Sequence, residues 1–161
     1  MARNEIKEQP FGPRLAISNR FERLHFSQQE VEAFFLALYS TGRCSLRGEL
    51  SIVFLDDSEM AELHGRFLDD PTPTDVITFP GDAKEDFAGE ICVSAERAWI
   101  ESRAREISFS LEMCLYLAHG WLHLAGWDDH SVEERLAMRQ AEEEVLTVAE
   151  EAGALPVFSL A

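Results

Sequence analysis

The sequence is short of most features that would set it apart from an ordinary soluble domain. It has 3 cysteines. Cys44, Cys92 and Cys114 are odd in number, far apart and without a CxxC pair, which argues against both a disulfide framework and a thiolate zinc site. They are expected to be reduced, buried and inert. No apolar run is long enough to cross a membrane: the longest, MCLYLAHGWLHLAG, falls short of the ~20 residues a span requires and carries two histidines. The first twenty residues mix both charge signs around no apolar core, so no export signal is expected and the chain reads as cytoplasmic. Internal repeats, low-complexity tracts and interdomain linkers are missing too, which leaves one domain over residues 1–161. Basic charge is also scarce. With 14 Lys and Arg against 30 Asp and Glu, the formal net charge is −16. Such a surface repels phosphate backbones and forgoes the counterion release that drives non-specific nucleic-acid binding. General coating of DNA or RNA is disfavoured. Much of the excess lies in EERLAMRQAEEEVLTVAEE near the C-terminus, which leaves room for a neutral or basic groove elsewhere.

What is there is a core-forming composition, 46% hydrophobic and 27% charged over 161 residues, enough for a single packed domain without staples. RLAISN near residue 15 reads as a first strand. Ser27 and Glu30 stand at capping-box spacing ahead of apolar residues at helical intervals, which predicts a helix over about 28–40. LRGELSIVFLD reads as a second strand, SEMAELHGRFL as a short helix capped near Ser58, and the proline-bearing DDPTPT as a departure from helix. DVITFP fits a third strand ending at Pro80 and AGEICVSA a fourth. SAERAWIESRARE predicts a helix. A central buried helix follows over about 108–125, stopped by Gly126. An amphipathic helix then opens at the Ser131/Glu134 capping box and is ended by Gly153. Helices and strands mix without strict βαβ alternation, so the expected class is α+β, with a mixed sheet of about four strands packed against helices.

The chemistry concentrates in HGWLHLAGWDDH, residues 119–130. On a helix, His119 and His123 share one face, with Cβ atoms ~5–6 Å apart, and two imidazoles so placed can converge on one zinc. Two residues separate His123 from Gly126 and two more separate Gly126 from Asp129, which makes HxxxHxxGxxD, the spacing of a metzincin-type site. The glycine lets the chain leave the helix sharply so that a third ligand can swing back. Asp129 holds that spacing, while His130, one residue later, is the alternative third ligand. Asp128 is left as a turn residue or an acceptor for a histidine N–H. A zinc protease carries Glu directly after the first histidine, where this chain has Gly120, so peptidase chemistry lacks its usual base. Three ligands with one open position still describe a catalytic metal and a hydrolytic reaction.

Three segments together resemble the YbeY family of bacterial zinc-dependent endoribonucleases that mature ribosomal RNA: PTDVITFP at 73–80 is similar to that family's PTDVLSFP, AGEICVS at 88–94 to LGEIVIS, and HGWLHLAGWDD from 119 to HGxLHLxGYDH. The similarity covers about residues 45–145. It implies an α+β, zincin-like fold with the HxxxH helix at its centre and one Zn²⁺ per chain. It further implies a single-strand-specific endoribonuclease acting on the 3′ end of small-subunit ribosomal RNA and in ribosome quality control, with the ribosome or a ribosomal protein as partner and neither DNA nor membrane involved. The family's third ligand is a histidine, whose ungapped counterpart here is Asp129. Met138 and Glu142 follow Asp129 at the intervals where the family's methionine and glutamate follow that histidine, which favours substitution over insertion. Where the family carries an arginine in NxxYRxxDxPTD, this chain has Leu68, with Arg66 nearby.

Other residues carry weaker expectations. Thr74, Asp75 and Thr78 are candidates for a substrate groove, with Asp75 equally suited to cap a turn. Glu90 reads as a carboxylate behind a metal ligand or as a strand-edge hydrogen-bond acceptor. His25 and His64 read as surface or core histidines. Trp121 and Trp127 read as core packing, Trp127 also as a base-stacking surface. No general base is identified. Two rival readings share the ligand spacing: a metalloprotease or amidase, and a non-catalytic ribosome-assembly factor with a structural metal.

Overall fold

Serines start the helices. Ser27, Ser94, Ser108 and Ser131 each accept a hydrogen bond from the backbone N–H three residues on, at the N-termini of α1 (Gln28–Ser40), α3 (Ala95–Ala104), α4 (Phe109–Leu124) and α5 (Val132–Glu151). Each hydroxyl satisfies one of the orphan donors that open a helix. In α2 (Asp57–Leu68) the same service comes from Asp56, whose carboxylate accepts from the Glu59 amide at 2.8 Å. The cap is thus Asp56 rather than Ser58. This computed structural model describes residues 14–68 and 74–161, without the side chain of Leu68. The expected helix break over 69–73 and the substitution at Leu68 lie outside what is described.

The main sheet runs β1 (Leu15–Asn19), β3 (Glu49–Leu55), β5 (Phe87–Ser94), β4 (Val76–Asp82). β1, β3 and β5 are parallel and β4 is antiparallel to β5, which makes the sheet mixed, as expected. β3 begins at Glu49, later than its apolar pattern suggests, and β4 runs on past Pro80 to Asp82. Proline is tolerated there because β4 is an edge strand, where a missing N–H need not break a ladder. A short 3₁₀ turn, Ala83–Glu85, links β4 to β5. Two further three-residue strands, β2 (Leu24–Phe26) and β6 (Phe158–Leu160), pair antiparallel as a separate ribbon.

Side-chain alternation along the strands sorts the sheet into two faces. Leu50, Ile52, Phe54, Ile91 and Val93 enter the large core with α1, α4 and α5, while Leu55, Ile77 and Cys92 pack with Met60 of α2 on the other side. α4 lies hard against the sheet. A Cβ built on Gly120 would stand 2.7 Å from Ile91 Cγ2 and 3.1 Å from Val76 Cγ1. Near its end, a Cβ at Gly89 would meet both methyls of Leu124 within 2.9 Å. The three cysteines are free and buried, and burial pushes the Cys92 and Cys114 thiols up to about 12, so both are protonated and unreactive.

Candidate metal centre

The last two turns of α4 carry His119 and His123, and their Nε2 atoms face each other at 3.1 Å. The helix then stops in a Schellman turn: the Gly126 amide donates to the His123 carbonyl, the Trp127 amide donates to the Leu122 carbonyl, and Gly126 takes φ 103°. A left-handed residue at this position is what glycine provides at no steric cost. The reversal carries Asp129 back over the helix end, where its Oδ2 lies 3.3 Å from His123 Nε2 and 3.6 Å from His119 Nε2. Three donors, two nitrogens and one carboxylate oxygen, thus form a nearly equilateral triangle. For zinc bound at ~2.0–2.1 Å, tetrahedral geometry puts ligand atoms about 3.3–3.4 Å apart. The triangle fits one face of that tetrahedron.

His130 is elsewhere. Its side chain is 81% exposed and stands 3.8 Å from Asp128, and it takes no part in the triangle. Between the two third-ligand candidates, the fold brings only Asp129 to the histidines.

Behind the triangle, Glu142 on α5 approaches His119 Nδ1 at 2.5 Å. An ionised carboxylate only accepts, so Nδ1 carries the proton and the neutral ring offers its Nε2 lone pair to the shared focus. Burial opposes the charged form of His119, but the hydrogen bond and charge of Glu142, with Asp129 and Asp75 adding, outweigh it and raise the His119 pKa above its ordinary 6.5. Arg135, seven residues before Glu142, donates to the carbonyl oxygens of Asp129 and His130 at 3.4 and 3.2 Å, which ties the loop to α5.

A cleft of 860 Å³ opens beside His119 and runs between β4, α3, α4 and α5. Thr74 and Asp75 line it as anticipated. Asp75 also accepts from the Val76 amide at 2.8 Å, so it serves the turn as well. Thr78 lies on the strand face toward α4, with its methyl near Gly120. Glu90 belongs to the opposite face of the sheet, where it accepts from Ser51 Oγ at 3.1 Å and lines a second cavity of 670 Å³ beside α2. It does not stand behind a metal ligand, because the residue after it, Ile91, is the one that faces α4. Trp121 is fully buried edge-on to Tyr39 and Trp127 packs partly exposed against the core, which meets their core reading. His25 is exposed and His64 half-buried on α2, away from the triangle. What the sequence reading missed is the cleft itself with Tyr116, Arg105 and Arg139 on its walls.

Position 120 also bears on chemistry. A side chain there would be driven into Ile91 and Val76 rather than toward the donors, so the packing of α4 leaves no place for the glutamate that a zinc protease uses as base.

The chain is similar to several known proteins. A family model described as Endoribonuclease YbeY matches residues 16–150. The Endoribonuclease YbeY of Protochlamydia amoebophila is 39% identical over 98 residues, which is 58% of this chain and 65% of that one. The one from Chlamydia abortus is 36% identical over 115 residues, 66% of this chain and 73% of its own. That of Carboxydothermus hydrogenoformans is 32% identical over 119 residues, 73% and 81% of the two chains. In fold, the chain is similar to the solution structure of TM1509 from Thermotoga maritima, with a TM-score of 0.58 over 87% of this chain and 94% of the other at 24% identity.

Proposed function

Because the chain belongs to the YbeY family of endoribonucleases, we propose that it is a metal-dependent hydrolase that cleaves single-stranded RNA, with one zinc ion held by His119, His123 and Asp129. The observation that carries this reading is the donor triangle, with edges of 3.1, 3.3 and 3.6 Å and with Glu142 on His119 Nδ1. Zinc bound there would supply Lewis-acid stabilisation of a phosphate oxygen and a water of lowered pKa. The protein's own groups orient. Glu142 fixes the ring and tautomer of His119, Arg135 fixes the Asp129 loop, and the cleft beside His119 receives the strand. The substrate is the 3′ end of small-subunit ribosomal RNA, with a role in ribosome quality control in the cytoplasm. The acidic surface makes intrinsic affinity for RNA low, so the ribosome or a ribosomal protein delivers the substrate. The packing of Gly120 supports this over the protease reading.

The test compares metal content and cleavage of a labelled single-stranded RNA for wild type, Asp129→Ala and His130→Ala, each checked for folding by circular dichroism. Asp129→Ala is expected to lose bound zinc and cleavage, His130→Ala to keep both. The reverse pattern would unseat Asp129 as ligand, and a zinc-loaded wild type that leaves RNA intact would sink the nuclease reading in favour of an assembly factor.

A further inference from the structure

The cleft beside His119 holds three guanidinium groups, those of Arg97, Arg105 and Arg139. Two are already engaged. Arg97 reaches Asp57 at 2.7 Å and Glu101 at 3.7 Å, and Arg105 grips the buried Glu112 through both its oxygens at 2.9 and 3.2 Å. Arg139 is exposed and makes no ion pair or hydrogen bond among the described residues. In a chain with 30 acidic against 14 basic residues, a cation facing a cleft without a partner calls for a reason. Glu142, three residues on, is committed to His119, and Glu143, at the i+4 position where a helical ion pair would form, makes none with it.

The placement is specific. Arg135, Arg139 and Glu142 follow at intervals of four and three, which sets them on one face of α5. Arg135 reaches the Asp129 loop and Glu142 reaches His119, so Arg139 stands between two residues that hold the two halves of the donor triangle. A planar guanidinium fork matches two phosphate oxygens. We infer that Arg139 binds a backbone phosphate of the RNA strand, next to the phosphate at the His119–His123–Asp129 site, and so sets the strand in the cleft. This rests on the reading that the site cleaves RNA. The contact is the same in ground and transition states, so it governs KM and leaves kcat alone.

The experiment uses the zinc-loaded full chain and two probes. One is a single-stranded RNA, which reads KM and kcat. The other is its 2′-O-methyl analogue, which reads binding by fluorescence anisotropy, with gel electrophoresis showing that it stays uncut over the measurement. Arg139→Ala is expected to raise Kd and KM about tenfold, the loss of one charge-assisted contact, with kcat unchanged within about twofold. It should also flatten the log–log salt dependence of binding by about 0.7, one phosphate's share on a single strand. Arg139→Lys keeps the salt slope and recovers part of the affinity, because charge survives and the fork does not. Arg23→Ala removes a charge that does not line the cleft, from a side chain that hydrogen-bonds the Ala161 carbonyl at 3.0 Å, and leaves Kd, KM and the salt slope in place. An Arg139→Ala variant that binds the analogue with wild-type affinity and salt slope overturns the inference whether or not RNA is cut. Absence of cleavage by wild type instead strikes the nuclease reading beneath it.

Discussion

Glu142 is the residue on which the proposed metal centre turns, and it acts on it through His119. Its carboxylate holds His119 through Nδ1 at 2.5 Å, and partners of this kind typically contribute 10–100-fold to metal affinity. Glu142→Gln should therefore bind zinc roughly 10–100-fold more weakly, read by chelator competition, with the circular dichroism spectrum unchanged; equal affinity would make the contact incidental. The pH dependence follows from the same pair. The His119 pKa lies above 6.5 in the folded chain, and a protonated ring cannot ligate, so zinc affinity falls as pH drops, beginning above the ordinary histidine range. In Glu142→Gln the onset moves to lower pH, since the main raising influence is gone. The two histidines, Gly126 and Asp129 were legible in sequence because one helix and one turn join them, and local spacing is a faithful ruler within a helix. Glu142 could be read only as a residue at a family interval. Its contact with His119, like the site beside Arg139, depends on how α5 crosses α4, which spacing does not encode. Glu90 was misplaced for a simpler reason: strand period alone, with Ile91 turned to α4, puts it on the other face.

At the scale of elements, the separation of α4 from the sheet is set by a residue with no side chain. Gly120→Ala would bring a Cβ within 2.7 Å of Ile91 Cγ2, on a strand residue that is itself fully buried. Overpacking of that kind costs about 1–3 kcal/mol, while replacing a mid-helix glycine by alanine returns up to about 1 kcal/mol of propensity. The balance is a loss of roughly 1 kcal/mol, seen as a lower denaturant midpoint at unchanged slope; a gain in stability would mean that helix and sheet are free to part. Helix starts and stops were the most readable features, because Ser27, Ser131, Gly126 and Gly153 each do locally what their type favours. α3 ends without such a sign: Glu106 takes φ 55° there, a left-handed conformation usually given to glycine. β2 and β6 were invisible for another reason. Three residues each cannot display a period, and their pairing joins segments more than 130 residues apart. Pro80 misled the end of β4 because an edge strand tolerates what a central one does not.

For the whole molecule, the charge of −16 decides how RNA can be held. A protein that neutralises six to ten phosphates of duplex DNA loses about 10³–10⁵ in affinity when salt rises from about 50 to about 200 mM. Here the cleft's other arginines are paired to carboxylates, and Arg139 is its one cation without a partner among the described residues. With one or two phosphates neutralised on a single strand, the same fourfold rise in salt should cost only about three- to sevenfold. Binding of the isolated zinc-loaded chain to single-stranded RNA is thus expected to be weak and only shallowly salt-dependent, measured by anisotropy across a salt series. A steep slope in the absence of any ribosomal protein would show that the chain carries a basic surface of its own, and the need for a delivering partner would disappear with it.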